Sequence, residues 1–195
     1  GYDISNITFL ETPNGWLIID PLTTSSTAEA CLNLANETLG KRPVHSIIYT
    51  HSHLDHFGGI LGVTSQEEVD AGNVRIIAPD GFLEEVVREN IIAGPMMARR
   101  AHYQFGPLLP TGPTGQVDIG LGQSLPLGAS YLIPPTETVY ETGTEIDIDG
   151  LKVVFQNTPD AEAPSEMNFF FPGKRLLCMA ENCTHTMHNL YPIRG

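Results

Sequence analysis

Long apolar runs are missing from this 195-residue chain, and so is an excess of positive charge. No stretch approaches the roughly 20 consecutive apolar residues that cross a bilayer, which argues against stable membrane insertion. Ten basic side chains stand against 23 acidic ones, a formal net charge of -13, so nucleic acid and anionic membrane surfaces are poor partners for it. An anionic substrate would need a local positive centre. Cysteine is scarce too: Cys31, Cys178 and Cys183 are odd in number and form no CxxC pair, pointing to neither a disulfide framework nor a thiolate metal site. The opening GYDISN has no signal-peptide character, and the chain reads as though cut from something longer. What is there is a globular composition, 41% hydrophobic, of a size for one domain with a real core.

Short β-type runs at 7–10 and 16–19 flank Asn14-Gly15, a hairpin turn signal. TTSSTAEACLNLANETLGK follows as one amphipathic helix, with Ser and Thr as candidate N-caps and Gly40 as its stop. Residues 44–49 and 74–79 are apolar enough to be buried strands. From Asp80 to Phe105 the pattern is helical, broken at Gly94-Pro95 because proline removes a backbone donor and disfavours helix in the residue before it. Residues 106–135 carry too many glycines and prolines for regular structure, a long loop of the kind that serves function. Strand patterns return at 144–148, 151–156, 167–171 and 175–179, the first pair flanking Asp149-Gly150. Two β-rich halves with helices between them predict an α/β sandwich of sheets covered by helices.

The densest chemistry is THSHLDHFGG, residues 50–59, placed directly after the strand at 44–49. HxHxDH offers three imidazoles and one carboxylate in six residues, a ligand set suited to zinc. On a loop leaving a strand, His51 and His53 can point one way while Asp55 and His56 point another, and two neighbouring metals are the natural use of that division. Gly58 and Gly59 are expected to let the backbone turn tightly into the next element.

THSHLDHFGG resembles the signature of the metallo-β-lactamase superfamily, which implies an α/β fold of the four-layer αβ/βα sandwich type with a one- or two-metal site at its edge. Asp20, closing WLIID, matches the superfamily's early aspartate, which supports the metal loop rather than ligating. Two later stretches, EAPSEM and MAENCTHTMHNLY, replace the more common histidine pattern with glutamates and resemble the alkylsulfatases of this fold. That resemblance extends over nearly all of the chain, including RRAHYQFG and the Gly/Pro-rich segment, so residues 1–195 are expected to be one catalytic domain, incomplete, with dimerisation and lipid-carrier-like domains lying outside it.

Carried over residue by residue, the resemblance implies two zinc ions: His51, His53 and Glu162 on one, Asp55 and His56 on the other, and Glu181 between them. Glu166 competes with Glu162, which is preferred because it occupies the turn after a strand. Asn189 and Arg194 resemble the family's sulfate-binding pair, the guanidinium offering a fork matched to an oxyanion. Asp55 and His185 are the candidate catalytic residues, with Thr184 and His188 as competitors for proton transfer. Phe82, Leu83, Ile91, Met96, Met97, Tyr103, Phe105 and the Gly/Pro-rich loop are candidates to line an apolar channel for an alkyl tail. The family's second zinc takes a further histidine well after Glu181, which these residues do not supply; the alternative is a short chain with an impaired second site.

The implied function is hydrolysis of a small-molecule alkyl sulfate, such as dodecyl sulfate, in a periplasmic or secreted homodimer assembled through regions outside this chain. Two other readings stay open: another hydrolase of the same fold (lactamase, thioesterase or phosphodiesterase), and a catalytically silent metal-binding domain.

Overall fold

The computed structural model describes residues 3–184. The hairpin β1 (Thr8–Glu11) and β2 (Trp16–Ile19) opens the chain, and α1 (Ser25–Leu39) leads to β3 (Val44–Ile48). A short α2 (Gln66–Asp70) precedes β4 (Arg75–Pro79), then α3 (Phe82–Val86), a π-helical turn at Val87–Ile92, and α4 (Gly94–Phe105). After the Gly/Pro-rich segment come β5 (Glu137–Val139), β6 (Glu145–Ile148), β7 (Leu151–Asn157), β8 (Met167–Phe171) and β9 (Leu176–Cys178).

β1 to β5 form one sheet in chain order, antiparallel between β1 and β2 and parallel thereafter. β6 to β9 form a second, antiparallel sheet. Alternation along the strands of the first sheet sorts its two faces. Trp16, Ile18, Ile47, Tyr49, Ile76 and Ala78 pack with Ala28 of α1, Val69 of α2, and Phe82 and Val86 of α3. Leu17, Ile19, Ile48 and Ile77 point the other way, onto Val153, Phe155, Met167, Phe169 and Phe171 of the second sheet. This double burial explains why the central strands read as continuous apolar runs. Helix, sheet and sheet are three layers of the expected sandwich, and none of the helices contributes to the second cluster among the described residues.

Local signals account for most boundaries. The Thr24 side chain accepts the Thr27 N–H at the start of α1, and Gly40 ends it at φ 101°. Pro95 stands in the first turn of α4, where its missing N–H costs nothing. Asp149 and Gly150 both have positive φ, 50° and 82°, the primed turn that suits a tight hairpin.

The glycines after the histidine cluster serve a different need from the tight turn expected of them. Gly59 has an ordinary φ of -83°, but a Cβ there would meet the Pro21 carbonyl oxygen at 2.0 Å and the Ala28 Cβ at 2.8 Å. A Cβ on Gly58 would meet the Thr23 oxygen at 2.4 Å. Both are glycine because the metal-candidate loop lies directly on the backbone between β2 and α1. Gly59→Ala is therefore expected to cost about 1–3 kcal/mol through overpacking, read by calorimetry as a midpoint lower by roughly 2–4 °C per kcal/mol.

Candidate metal centre

Four strand ends bring the site together. Asp20 follows β2, β3 runs on through Tyr49 and Thr50 into the histidine loop, β7 leads into the loop that carries Glu162, and Glu181 follows β9. The sheets are stitched at this point: the Met167 N–H donates to the Thr50 carbonyl at 3.0 Å, and His51 bridges to Glu166. Leu54–His56 is a 3-10 turn, which brings the His56 ring back beside that of His51, with centroids 4.0 Å apart.

The side chains converge as two groups that share one carboxylate. His51, His53, Glu162 and Glu181 each offer a ligand atom within 4.8 Å of the others, and so do Asp55, His56 and Glu181. His53 Nδ1 is 3.0 Å from His51 Nε2 and 3.2 Å from Glu162 Oε1. Glu181 Oε2 is 3.8 Å from His51 Nε2 and 3.5 Å from His56 Nε2, so it faces both groups. All but Glu181 are buried.

His56 shows that this donor set fits a cation. Its Nδ1 is taken by Asp20 Oδ2 at 2.7 Å, while its Nε2 is buried without a hydrogen bond among the described residues, although Asp55 Oδ2 is only 3.3 Å away. A buried nitrogen left over among carboxylate oxygens is what a metal ligand looks like. Burial works against charge on His56, yet the nearby Asp55 and Asp20 carboxylates, with the Asp20 hydrogen bond, raise its pKa well above the ordinary value. A metal binding at this nitrogen must displace that proton.

Asp20 stands beside the cluster as a brace, with a third candidate grouping, Asp20–His51–His56, around it. Its Oδ1 accepts the Thr50 N–H at 2.8 Å and its Oδ2 accepts the Thr50 hydroxyl at 2.7 Å. Thr50 Oγ1 in turn lies 2.8 Å from His51 Nδ1. Asp20 holds φ at 53°, a left-handed conformation that Asp tolerates better than most residues.

The two competing glutamates take different places. Glu162 reaches the histidines, whereas Glu166 Oε2 accepts the N–H groups of Glu162 at 2.7 Å and Ala163 at 3.0 Å. Glu166 thus shapes the loop that presents Glu162. Its burial raises the carboxyl pKa, against the pull of those two hydrogen bonds.

Beside the cluster lies a cavity of about 400 Å³. Asp55 and Glu181 belong to its wall, and Leu54, Met97, Ala101, Phe105, Leu121, Leu125 and Pro126 supply apolar surface. Met97, Ala101 and Phe105 recur every four residues on one face of α4, and Leu121 to Pro126 come from the Gly/Pro-rich segment. Of the other expected lining residues, Phe82 is core, stacked on Tyr49 with ring centroids 5.0 Å apart. Leu83, Ile91, Met96 and Tyr103 are exposed on other faces. His185, His188, Asn189 and Arg194 lie outside the described residues. Glu89 and Asn90, which no sequence pattern had singled out, line the same cavity.

The chain belongs to the metallo-beta-lactamase superfamily, whose family model matches residues 1–156. More narrowly, it is similar to alkylsulfatases. It is 48% identical to a linear primary-alkylsulfatase of Pseudomonas sp. over 100% of this chain and 29% of that protein. It is 49% identical to an alkyl/aryl-sulfatase of Saccharomyces cerevisiae over 100% of this chain and 30% of that one. A solved structure of a stereoselective inverting sec-alkylsulfatase from Pseudomonas sp. superposes with a TM-score of 0.85 at 41% identity, covering 91% of this chain and 28% of that one. The chain thus spans under a third of the length of these relatives. A metallo-beta-lactamase from Hirschia baltica, at 15% identity and a TM-score of 0.53, shares the fold alone.

Proposed function

We propose that the protein to which this domain belongs hydrolyses alkyl sulfate esters to alcohol and inorganic sulfate at a two-zinc centre. The observation that carries this reading is the placement of two ligand groups, joined by Glu181, in the wall of an apolar cavity. His51, His53 and Glu162 would hold one zinc, Asp55 and His56 the other, and Glu181 both. Zinc supplies Lewis acidity, lowering the pKa of a water to about 7 so that hydroxide is available at neutral pH, and offsets the negative charge that would otherwise repel a sulfate.

This chain's own residues then orient and enclose. The Asp20–Thr50 pair fixes the rings of His51 and His56, and Glu166 holds the loop of Glu162. Met97, Ala101, Phe105, Leu121 and Leu125 form an apolar wall that suits an alkyl tail, excluding water and placing the ester end near Asp55 and Glu181. Arg194 and Asn189 would bind the sulfate head, and His185 would serve proton transfer; these three assignments rest on the resemblance of HNLYPIRG and THTMHN to the family. The same reading carries a periplasmic or secreted location and a homodimer formed through regions outside this chain. No helix among the described residues is long and apolar enough to cross a membrane.

The test is sulfate release from dodecyl sulfate by the full-length protein, with metal content measured on the same sample. Release with about two zincs per chain, abolished by chelation and restored by zinc, is the expected result. Two bound zincs with no sulfate release, and turnover of a nitrocefin-like, thioester or phosphodiester substrate instead, would overturn the substrate while keeping the centre. A protein that takes up no metal would overturn both.

A further inference from the structure

Every imidazole that ligates a metal has a second nitrogen, and what holds that nitrogen decides which way the lone pair points. For His51 and His56 the answer is Asp20, through Thr50 in one case and directly in the other. His53 is out of that network. Its Nδ1 faces His51 and Glu162, and its Nε2, on the opposite side of the ring, is 3.4 Å from Glu89 Oε2. The His53 side chain is 1% exposed and that of Glu89 16%, so the contact is largely shielded from water.

Glu89 sits in an irregular stretch of the helix. It belongs to the π-helical turn Val87–Ile92, where the Ala93 N–H donates to the Arg88 carbonyl five residues back at 2.9 Å. Such turns insert a residue and redirect the side chains around them. Glu89 follows Phe82 and Val86, both buried in the core, at helical spacing of seven and three residues. An acidic residue thus occupies a place where the pattern calls for an apolar one, and His53 is the group it meets.

We infer that Glu89 is a positioning residue for the metal centre: it accepts the Nε2–H of His53 and so holds the tautomer in which Nδ1 presents its lone pair toward Glu162 and Glu181. The inference rests on the proposed ligand role of His51, His53, Glu162 and Glu181. Glu89 cannot share a cation with His53 Nδ1, because the width of the imidazole ring lies between them.

Zinc affinity, measured by chelator competition on full-length wild type, Glu89→Ala and Glu89→Gln, tests this apart from any effect on substrate. Glu89→Ala is expected to weaken one zinc by roughly 10–100-fold and leave the other unchanged. The visible spectrum of the cobalt-substituted protein should shift with it. Glu89→Gln, whose amide oxygen still accepts the N–H, should restore most of both, and all three chelator-treated proteins should melt at the same temperature. Wild-type affinity at both sites in Glu89→Ala overturns the inference alone. So does an equal weakening of both sites accompanied by a lower melting temperature, the mark of a merely structural role. Absence of zinc uptake by the wild type overturns the ligand assignment, and the inference with it.

Discussion

Glu181→Ala is expected to release one of the two zinc ions, the one on Asp55 and His56, and to lower sulfate release by about 10²–10³-fold. Glu181 is shared by the group of His51, His53 and Glu162 and the group of Asp55 and His56; its loss leaves three donors on the first, enough for a zinc, and two on the second, too few. With one zinc gone the centre loses half of the positive charge that lowers the pKa of the attacking water and offsets the sulfate, so less hydroxide is available at neutral pH. The Glu181 side chain is 22% exposed, so removing it opens no sealed core, and the far-ultraviolet circular dichroism should be unchanged. Glu162→Ala is the informative comparison. That carboxylate belongs to one group only, and its loss leaves three donors in each group, so about two zincs per chain should remain, the one on His51 and His53 held more weakly. Elemental analysis of both variants after dialysis decides the matter; two zincs retained by Glu181→Ala would sink the shared-ligand assignment.

Much of this was legible in the sequence because the information is local. HxHxDH places four donors in six residues, and the apolar strand before it fixes where they stand. Glu162 and Glu181 are different: a lone glutamate in a loop is normally solvated, and only the matched stretches around them single them out. The elements that escaped notice owe their existence to partners or to short-range signals that are easily passed over. β5 is three residues long with one fully buried side chain, Val139, and it exists because β4 offers an unpaired edge in the register Ile77↔Glu137. α2 had its signal in Ser65-Gln66-Glu67-Glu68, where the Ser65 side chain accepts the Glu68 N–H at 3.3 Å. The π-helical turn has no sequence period of its own to read, and Glu89 was not singled out. Its position on the face of Phe82 and Val86 was the available clue.

Asp20 gives a sharper test, because two replacements should fail in different ways. Its carboxylate satisfies three buried donors at once: the Thr50 N–H, the Thr50 hydroxyl and the His56 Nδ1–H. Asp20→Ala strands all of them and places alanine at a left-handed φ of 53° that it disfavours. A loss of about 3–5 kcal/mol is expected, as for other buried charged pairs broken from one side, large against the stability of an ordinary domain. Asp20→Asn keeps the shape and tolerates the backbone. With its oxygen toward the Thr50 N–H, its amide nitrogen faces His56 Nδ1, donor against donor. The ring then moves its proton to Nε2, the atom that faces Asp55 and Glu181, and loses the lone pair a metal needs. Turning the amide over only transfers the conflict to the Thr50 N–H. Asp20→Asn is therefore expected to fold with a melting temperature near that of the wild type while holding about one zinc rather than two. Calorimetry beside zinc analysis separates the cases. If Asp20→Asn bound both zincs as tightly as the wild type, the carboxylate would not be setting the His56 tautomer, and its place in the centre would reduce to bracing the backbone of Thr50.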